Sequence, residues 1–224
     1  MLENTSFKVL TKILTTRLTA EVDRSIPECQ FGFRKGRSTL QAVSNLTCLI
    51  EDTLRHTKRK YHVVFVDFKK AFDRINRQIL IKKLGGLIGS TDPITMLISN
   101  ILLYNYVQIN EEGDTSNKIK QTNGVLRGDP ISPLLFNIIT ADIAEIKENK
   151  ASEIIMYADD VKIVSESNEE LQKTLENLAK WADRNNLEIN IEKTVTMTFK
   201  KGGKQAQGYT LYISGNKLEF VKQK

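Results

Sequence analysis

Residues 154–164, IIMYADDVKIV, form an apolar run interrupted at its centre by two adjacent carboxylates, Asp159 and Asp160, and then resumed. Apolar runs rich in β-branched residues pack as strands on a core, where two neighbouring carboxylates are costly to bury unless something neutralises them. The pattern predicts a β-hairpin whose tight turn carries the acidic pair to a solvent-facing cleft, with a divalent cation as the natural partner. Taken alone, an Asp-Asp pair is more often a plain solvated turn.

Working outward, 224 residues suffice for one large domain or two small ones with a real core. Apolar content of 40% and charged content of 27% are those of an ordinary globular chain. No run approaches the roughly 20 apolar residues of a transmembrane helix, and the N-terminus lacks the pattern of a signal peptide, so an intracellular location and no membrane partner are expected. Cys29 and Cys48 lack CxxC spacing and read as reduced thiols. A net charge of +6 and a pI near 9.2 fit an anionic partner. The basic residues cluster at segment edges: Arg34, Lys35 and Arg37; Arg55, Lys58, Arg59 and Lys60; Lys200, Lys201 and Lys204. Each cluster is placed either to meet phosphate or to serve as solvated surface charge.

Periodicity predicts a helix over residues 7–20 with Phe7, Leu10, Ile13, Leu14 and Leu18 inward, and another over 40–56 with Leu40, Val43, Leu46, Leu49, Ile50 and Leu54 on one side. Between them, SIPECQFGFRKGRST (25–39) has the composition of an ordered loop that presents N–H groups and guanidinium forks. YHVVFVDF (61–68) reads as a strand with Asp67 near its end, followed by a helix over 69–84 stopped by Gly85 and Gly86. A helix over 93–104, a hairpin over 106–122 around EEGDTS, the Gly- and Pro-bearing loop GVLRGDPISPLLFN (124–137) and a buried helix FNIITADIAEI complete the middle. A helix over 168–185 capped by Asn168 buries Leu171, Leu175, Leu178 and Trp181. Short strands at 187–191 and 194–199 follow, then a hairpin of 209–213 with 217–221.

This order implies an α+β fold with antiparallel pairing. Asp67 at one strand's end and Asp159 and Asp160 at a hairpin turn then fall on neighbouring central strands, and three carboxylates converge. Such a cluster is the oxygen donor set of a two-metal site, in which ions about 3.5–4 Å apart clamp the attacking and leaving oxygens of an in-line phosphoryl transfer.

Together, QFGFRKGRST (30–39), FVDFKKAFDRIN (65–76), GVLRGDPISPLLFN (124–137), YADD (157–160) and LEINIEKTVTMTF (187–199) resemble the ordered motifs of reverse transcriptases of non-LTR, LINE-like retrotransposons. The resemblance implies a right-hand polymerase fold with fingers and an antiparallel palm sheet. It implies an RNA-directed DNA polymerase, a nucleotidyltransferase that adds dNTPs to a DNA primer on an RNA template with two Mg²⁺ ions, Mn²⁺ being an alternative. By position it makes Asp67, Asp159 and Asp160 the metal-binding catalytic carboxylates, Asp160 the less tightly engaged. Phe72 matches the aromatic gate that excludes a ribose 2′-hydroxyl, or else a core aromatic. Arg34 and Arg37 match the segment that contacts the incoming triphosphate, or face the template. Gly128 and its loop shape the nucleotide pocket, and Tyr157 lies near the primer terminus. Lys193 matches a lysine that protonates the leaving pyrophosphate, or is a surface lysine.

Where the family usually has glutamine this chain has Arg127, which adds charge and bulk to the pocket loop. The resemblance divides the chain into a fingers part (1–60), the palm with finger insertions (61–200) and the start of the palm–thumb connection (201–224). The sequence ends two residues after Glu219-Phe220-Val221-Lys222, where by the resemblance the primer-grip motif begins, so the thumb is expected to be absent and the parent to be a longer retroelement protein acting in cytoplasm or nucleus. The alternative reading is a catalytically impaired, nucleic-acid-binding remnant of such a domain.

Overall fold

A computed structural model describes residues 4–56, 60–111, 114–148, 151–201 and 209–221. Lys58, Arg59, Lys204 and Lys222, together with most of the predicted 200–208 loop and part of the EEGDTS turn, lie outside the described residues. In chain order the elements are α1 (Thr5–Val22), α2 (Thr39–His56), β1 (Tyr61–Val66), α3 (Ala71–Arg74), α4 (Arg77–Ile88), α5 (Pro93–Leu103), β2 (Tyr106–Val107), β3 (Asn110–Glu111), β4 (Asp114–Thr115) and β5 (Ile119–Lys120). They continue with α6 (Ser132–Ile139), β6 (Ser152–Tyr157), β7 (Asp160–Ser165), α7 (Asn168–Arg184), β8 (Val195–Phe199), β9 (Tyr212–Ile213), β10 (Asn216–Lys217) and β11 (Glu219–Phe220). The chain divides into two compact units, each discontinuous: Met1–Ser25 with Lys70–Thr140, and Ile26–Lys69 with Ala141–Lys224.

The first unit is helical. Asn4 caps α1 by accepting the Ser6 N–H, and the helix buries Thr11, Leu14, Leu18 and Val22 against α4 and α6. The predicted stripe is therefore rotated: Leu14 and Leu18 are inward, but Leu10 and Ile13 are exposed. The single helix expected over 69–84 is two. Asn76 takes an extended conformation and its side chain accepts the N–H groups of Gln78 and Ile79, so the chain leaves α3 and restarts as α4. Gly85 and Gly86 do not stop α4. Gly85 is buried where a Cβ would stand 2.7 Å from the Ser90 Oγ, and the helix ends instead at Gly89, whose φ of +100° favours glycine. Arg77, 2% exposed, donates to the carbonyls of Gly124, Leu102 and Gln121, which ties α4 to the end of α5 and to the segment entering the pocket loop. The 106–122 hairpin forms as β2 with β5 around a smaller β3/β4 ladder. The buried helix predicted from Phe136 onward is broken. α6 ends at Ile139, where the Thr140 hydroxyl donates to the Phe136 carbonyl, and a separate 3₁₀ turn covers Ile143–Ile146.

The second unit is a five-stranded sheet in the order β11-β8-β1-β7-β6. β1 lies antiparallel between β7 and β8, and β11 joins the edge in parallel. Alternation places Tyr61, Val63, Ile155 and Val164 on one face, where they pack with Ala42, Leu46, Leu49 and Ile50 of α2. α7 covers the opposite face with Leu171, Leu175, Leu178 and Trp181, and its Thr174 hydroxyl bonds Ser152 on β6 at 3.1 Å. Leu40 and Val43, predicted inward on α2, are exposed because Ala42 is the residue that faces the sheet. Ser167, not Asn168, caps α7 by accepting the Glu170 N–H. Residues 187–191 do not form a strand. A single bridge joins Ile189 to Phe68 before the chain turns, because the N–H groups of Lys193 and Thr194 fold back onto the Asn190 carbonyl. The C-terminal hairpin is reduced to β9 and β10, and residues 219–220 leave it for β8. Cys29 and Cys48 are free thiols, and burial pushes Cys29 up to about 11. Among the described residues no helix is long and apolar enough to cross a membrane.

His62 on the α7 face of β1 is 3% exposed and its Nδ1 lies 2.9 Å from the Thr198 hydroxyl. Burial, aided by Lys60 and opposed by Glu169, lowers its pKa from 6.5 to about 4. The unfolded chain therefore takes this proton before the fold does. His62's contribution to stability is complete above about pH 6.5 and is lost as pH falls toward 4. Chemical denaturation at pH 7 and pH 4.5 is expected to show a loss on the order of 2 kcal/mol that His62→Gln lacks. An equal loss in His62→Gln would assign the drop to other groups.

Candidate active site at the carboxylate edge of the sheet

The acidic pair lies where the apolar pattern placed it. Tyr157 and Asp160 form the last pair of the β6/β7 ladder, leaving Ala158 and Asp159 as a two-residue turn. Ala158 has a φ of +56°, a left-handed conformation that costs a residue with a Cβ roughly 1 kcal/mol. Gln30 holds it there. Fully buried, Gln30 accepts the Ala158 N–H at 3.0 Å and the Gly32 N–H at 2.8 Å through Oε1, and its Nε2 donates to the Ala158 carbonyl at 3.2 Å. Residues 29–31 also run along β6 through Met156 N–H to Cys29 O and Phe31 N–H to Met156 O, both 2.8 Å. A Cβ on Gly32 would lie 2.2 Å from the Ala158 nitrogen. Gly32→Ala is therefore expected to push the turn out of place, lowering thermal stability by about 2 kcal/mol. A melting curve unchanged within error would show that the loop yields instead.

Asp67 follows β1 directly. The register that pairs Val66 with Val161 brings Asp67, one residue on, opposite Asp160. Its backbone is fixed by a 2.8 Å bond from the Asn190 N–H to its carbonyl and a 3.3 Å bond from its N–H to the Thr194 hydroxyl. Its carboxylate accepts the Asn190 Nδ2 at 3.0 Å, and the Asn190 Oδ1 is buried without a partner. Lys162, two residues after Asp160 and so on the same face, holds its ammonium 4.0 Å from the Asp160 carboxylate. Burial lowers the Lys162 pKa while Asp160 and Asp159 oppose the shift. Gln30, Asn190, Thr194 and Lys162 were not legible as site residues. Their roles are contacts across 123 to 128 residues of chain or a cross-strand face, which no local spacing encodes.

Among the described residues no group of three His, Cys, Asp or Glu side chains is gathered closely enough to hold a metal ion. The donor set is nevertheless all oxygen and anionic, at the ends of adjacent strands, which fits a hard divalent cation and not a thiophilic one. Lys193 is exposed in the turn after Asn190. Tyr157 is half-buried and packs beside Phe31, Ala42 and Ile155. Arg34 donates to the Pro27 carbonyl at 3.1 Å, while Arg37 donates to the Glu28 carbonyl at 2.9 Å, pairs with the Glu28 carboxylate and lies 5.1 Å from the Phe31 ring centroid. Both guanidinium groups brace the 27–37 loop.

Phe72, Arg127 and Gly128 belong to the helical unit. Phe72 is half-buried and stacks on Phe136, with centroids 4.7 Å apart and planes 19° apart. Arg127 does not carry a loose charge into the pocket loop: it makes a bidentate pair with Asp73, Nε to Oδ1 at 3.0 Å and Nη2 to Oδ2 at 2.7 Å. Gly128 has a φ of +91° with open space where a Cβ would stand, so backbone conformation and not crowding calls for glycine.

Residues 1–221 match the family model described as reverse transcriptase (RNA-dependent DNA polymerase). The RNA-directed DNA polymerase from mobile element jockey of Drosophila funebris is 28% identical over 96% of this chain and 24% of its own length. A retrovirus-related Pol polyprotein from the type-1 retrotransposable element R2 of Popillia japonica is 27% identical over 88% of this chain and 29% of its own. The chain thus spans about a quarter of the length of such curated relatives. The solved structure of apo telomerase from Candida tropicalis, truncated from its C-terminal domain, superposes with a TM-score of 0.69 over 90% of this chain and 42% of that one, at 15% identity, and so shares the fold. With this α+β polymerase fold and relatives among the non-LTR retrotransposable elements, the chain belongs to the reverse transcriptase family.

Proposed function

We propose that the chain extends a DNA primer with dNTPs on an RNA template, as the catalytic domain of a longer retroelement protein acting in the cytoplasm or nucleus. The observation that carries the reading is the placement of the carboxylates at one end of adjacent central strands, Asp67 just after β1, Asp159 in the β6/β7 turn and Asp160 opening β7, in a family of RNA-dependent DNA polymerases. Residues 1–60 are assigned to the fingers, 61–200 to the palm with finger insertions, and 201–224 to the start of the palm–thumb connection.

Asp67, Asp159 and Asp160 would hold Mg²⁺, or Mn²⁺ in its place. Bound there, a pair of divalent ions would lower the pKa of the primer 3′-hydroxyl and neutralise charge on the leaving pyrophosphate. Gln30 holds the backbone of the turn that bears Asp159, and the Asn190 amide orients the Asp67 carboxylate. Lys193 supplies the proton to the leaving pyrophosphate. Arg34 and Arg37 meet the triphosphate by exchanging loop carbonyls for phosphate oxygens. Phe72 excludes the ribose 2′-hydroxyl, the loop around Arg127 and Gly128 shapes the base pocket, and Tyr157 lies at the primer terminus. The test is primer extension on an RNA template with dNTPs. Extension that requires Mg²⁺ or Mn²⁺ is expected, and none at any concentration of either ion would sink the reading.

A further inference from the structure

Arg127 has a partner the sequence did not announce. Arg127 and Asp73 form a two-point ion pair between the pocket loop and α3, the helix that carries Phe72. Around it the same two segments are joined by the Val125 N–H to the Phe72 carbonyl at 3.0 Å and the Gly124 N–H to the Ile75 carbonyl at 2.8 Å. Gly124 lies so close that a Cβ there would stand 2.6 Å from the Asp73 carbonyl oxygen. α3 has only four residues, too few to support itself, and it starts from Lys70 in a left-handed conformation with no side-chain cap. Its position is set by what it is tied to.

We propose that the Asp73–Arg127 pair is a specificity-determining clamp. It holds α3 against the pocket loop, fixes the Phe72 ring on Phe136, and so sets how strictly a ribonucleotide is refused. Asp73 and Arg127 are positioning residues that act through Phe72, and the proposal rests on the reading that Phe72 meets the nucleotide sugar. Both side chains are substantially exposed, so the pair adds little to global stability. Steric refusal of one hydroxyl depends on placement to within about 1 Å, which a modest tie is enough to secure.

The experiment uses Asp73→Asn, Arg127→Ala and the charge-swapped Asp73→Arg/Arg127→Asp double variant of the full chain. Two quantities are read: the ratio of kcat/KM for single rNTP against dNTP addition, and amide exchange at Gly124 and Val125. Each single variant is expected to raise the rNTP/dNTP ratio roughly tenfold and to speed exchange at the two amides roughly fivefold, and the swap to restore most of both. The ratio cancels any general loss of activity or nucleotide affinity. Unchanged exchange overturns the clamp whether or not the chain polymerises. Faster exchange with an unchanged ratio overturns its role in sugar selection, whereas absence of extension by the unaltered chain counts against the polymerase reading and leaves the exchange result to decide the clamp.

Discussion

Asp159→Asn is expected to reduce metal-dependent primer extension by about 10³-fold or more while leaving the melting temperature within error of the unaltered chain. The amide has the size and shape of the carboxylate, but it cannot supply the negative charge with which a hard divalent cation is held. The described hydrogen bonds of the turn are made without that charge. Tyr157 and Asp160 close the ladder, and the Gln30 side-chain amide holds the Ala158 backbone, contacts that do not involve the Asp159 side chain. Removing the Asp159 charge relieves its repulsion with Asp160 and gives up its attraction to Lys162, so the net change in stability is expected to be small. Asp160→Asn is expected to cost less activity, since its carboxylate is the more exposed and already faces Lys162 at 4.0 Å. Extension by Asp159→Asn within about tenfold of the unaltered rate would remove Asp159 from the catalytic machinery.

The largest effect on stability is expected from Trp181→Ala, a loss of about 3–5 kcal/mol read from chemical denaturation. Trp181 is 2% exposed on the sheet-facing side of α7, its ring lies 6.3 Å from that of Phe68, and its Nε1 donates to the Asp142 carboxylate at 2.8 Å. Truncation opens a cavity and leaves the Asp142 carboxylate without that donor. Trp181→Phe separates the two contributions: it keeps most of the packing and removes the bond, and a loss of roughly 1–2 kcal/mol is expected. Equal losses in both variants would place the whole effect in the hydrogen bond, contrary to the packing account. Because Phe68 directly follows Asp67 in the chain, the same variants test how far this core supports the carboxylate edge.

Some features were readable from local pattern because their cause is local. An apolar run broken by two carboxylates can bury its flanks only by turning at the break, and β6, β7 and the intervening turn follow. The periodicity of residues 168–185 names the buried face of α7 correctly, down to Trp181. Errors arise where a side chain or a distant backbone overrides propensity. Asn76 caps α4 and splits a continuous helical pattern, Ser167 takes the capping role expected of Asn168 one residue later, and Gly85 serves close packing with Ser90 and not termination. Leu40 and Val43 carry the hydrophobicity of α2, yet Ala42 faces the sheet, since helix rotation is set by what the sheet surface can accommodate.

By itself the sequence determined the carboxylates, the strands that bear them, the α+β class and the motif order that marks the family. Each follows from residue type and spacing along the chain. The tertiary structure alone decided what holds those groups: the Gln30 clasp on the Ala158 turn, the Asn190 amide on Asp67, and the Asp73 carboxylate that neutralises Arg127. Hydrogen bonds and ion pairs form between groups that meet in space, and between residues 54 to 128 positions apart no local periodicity records the meeting.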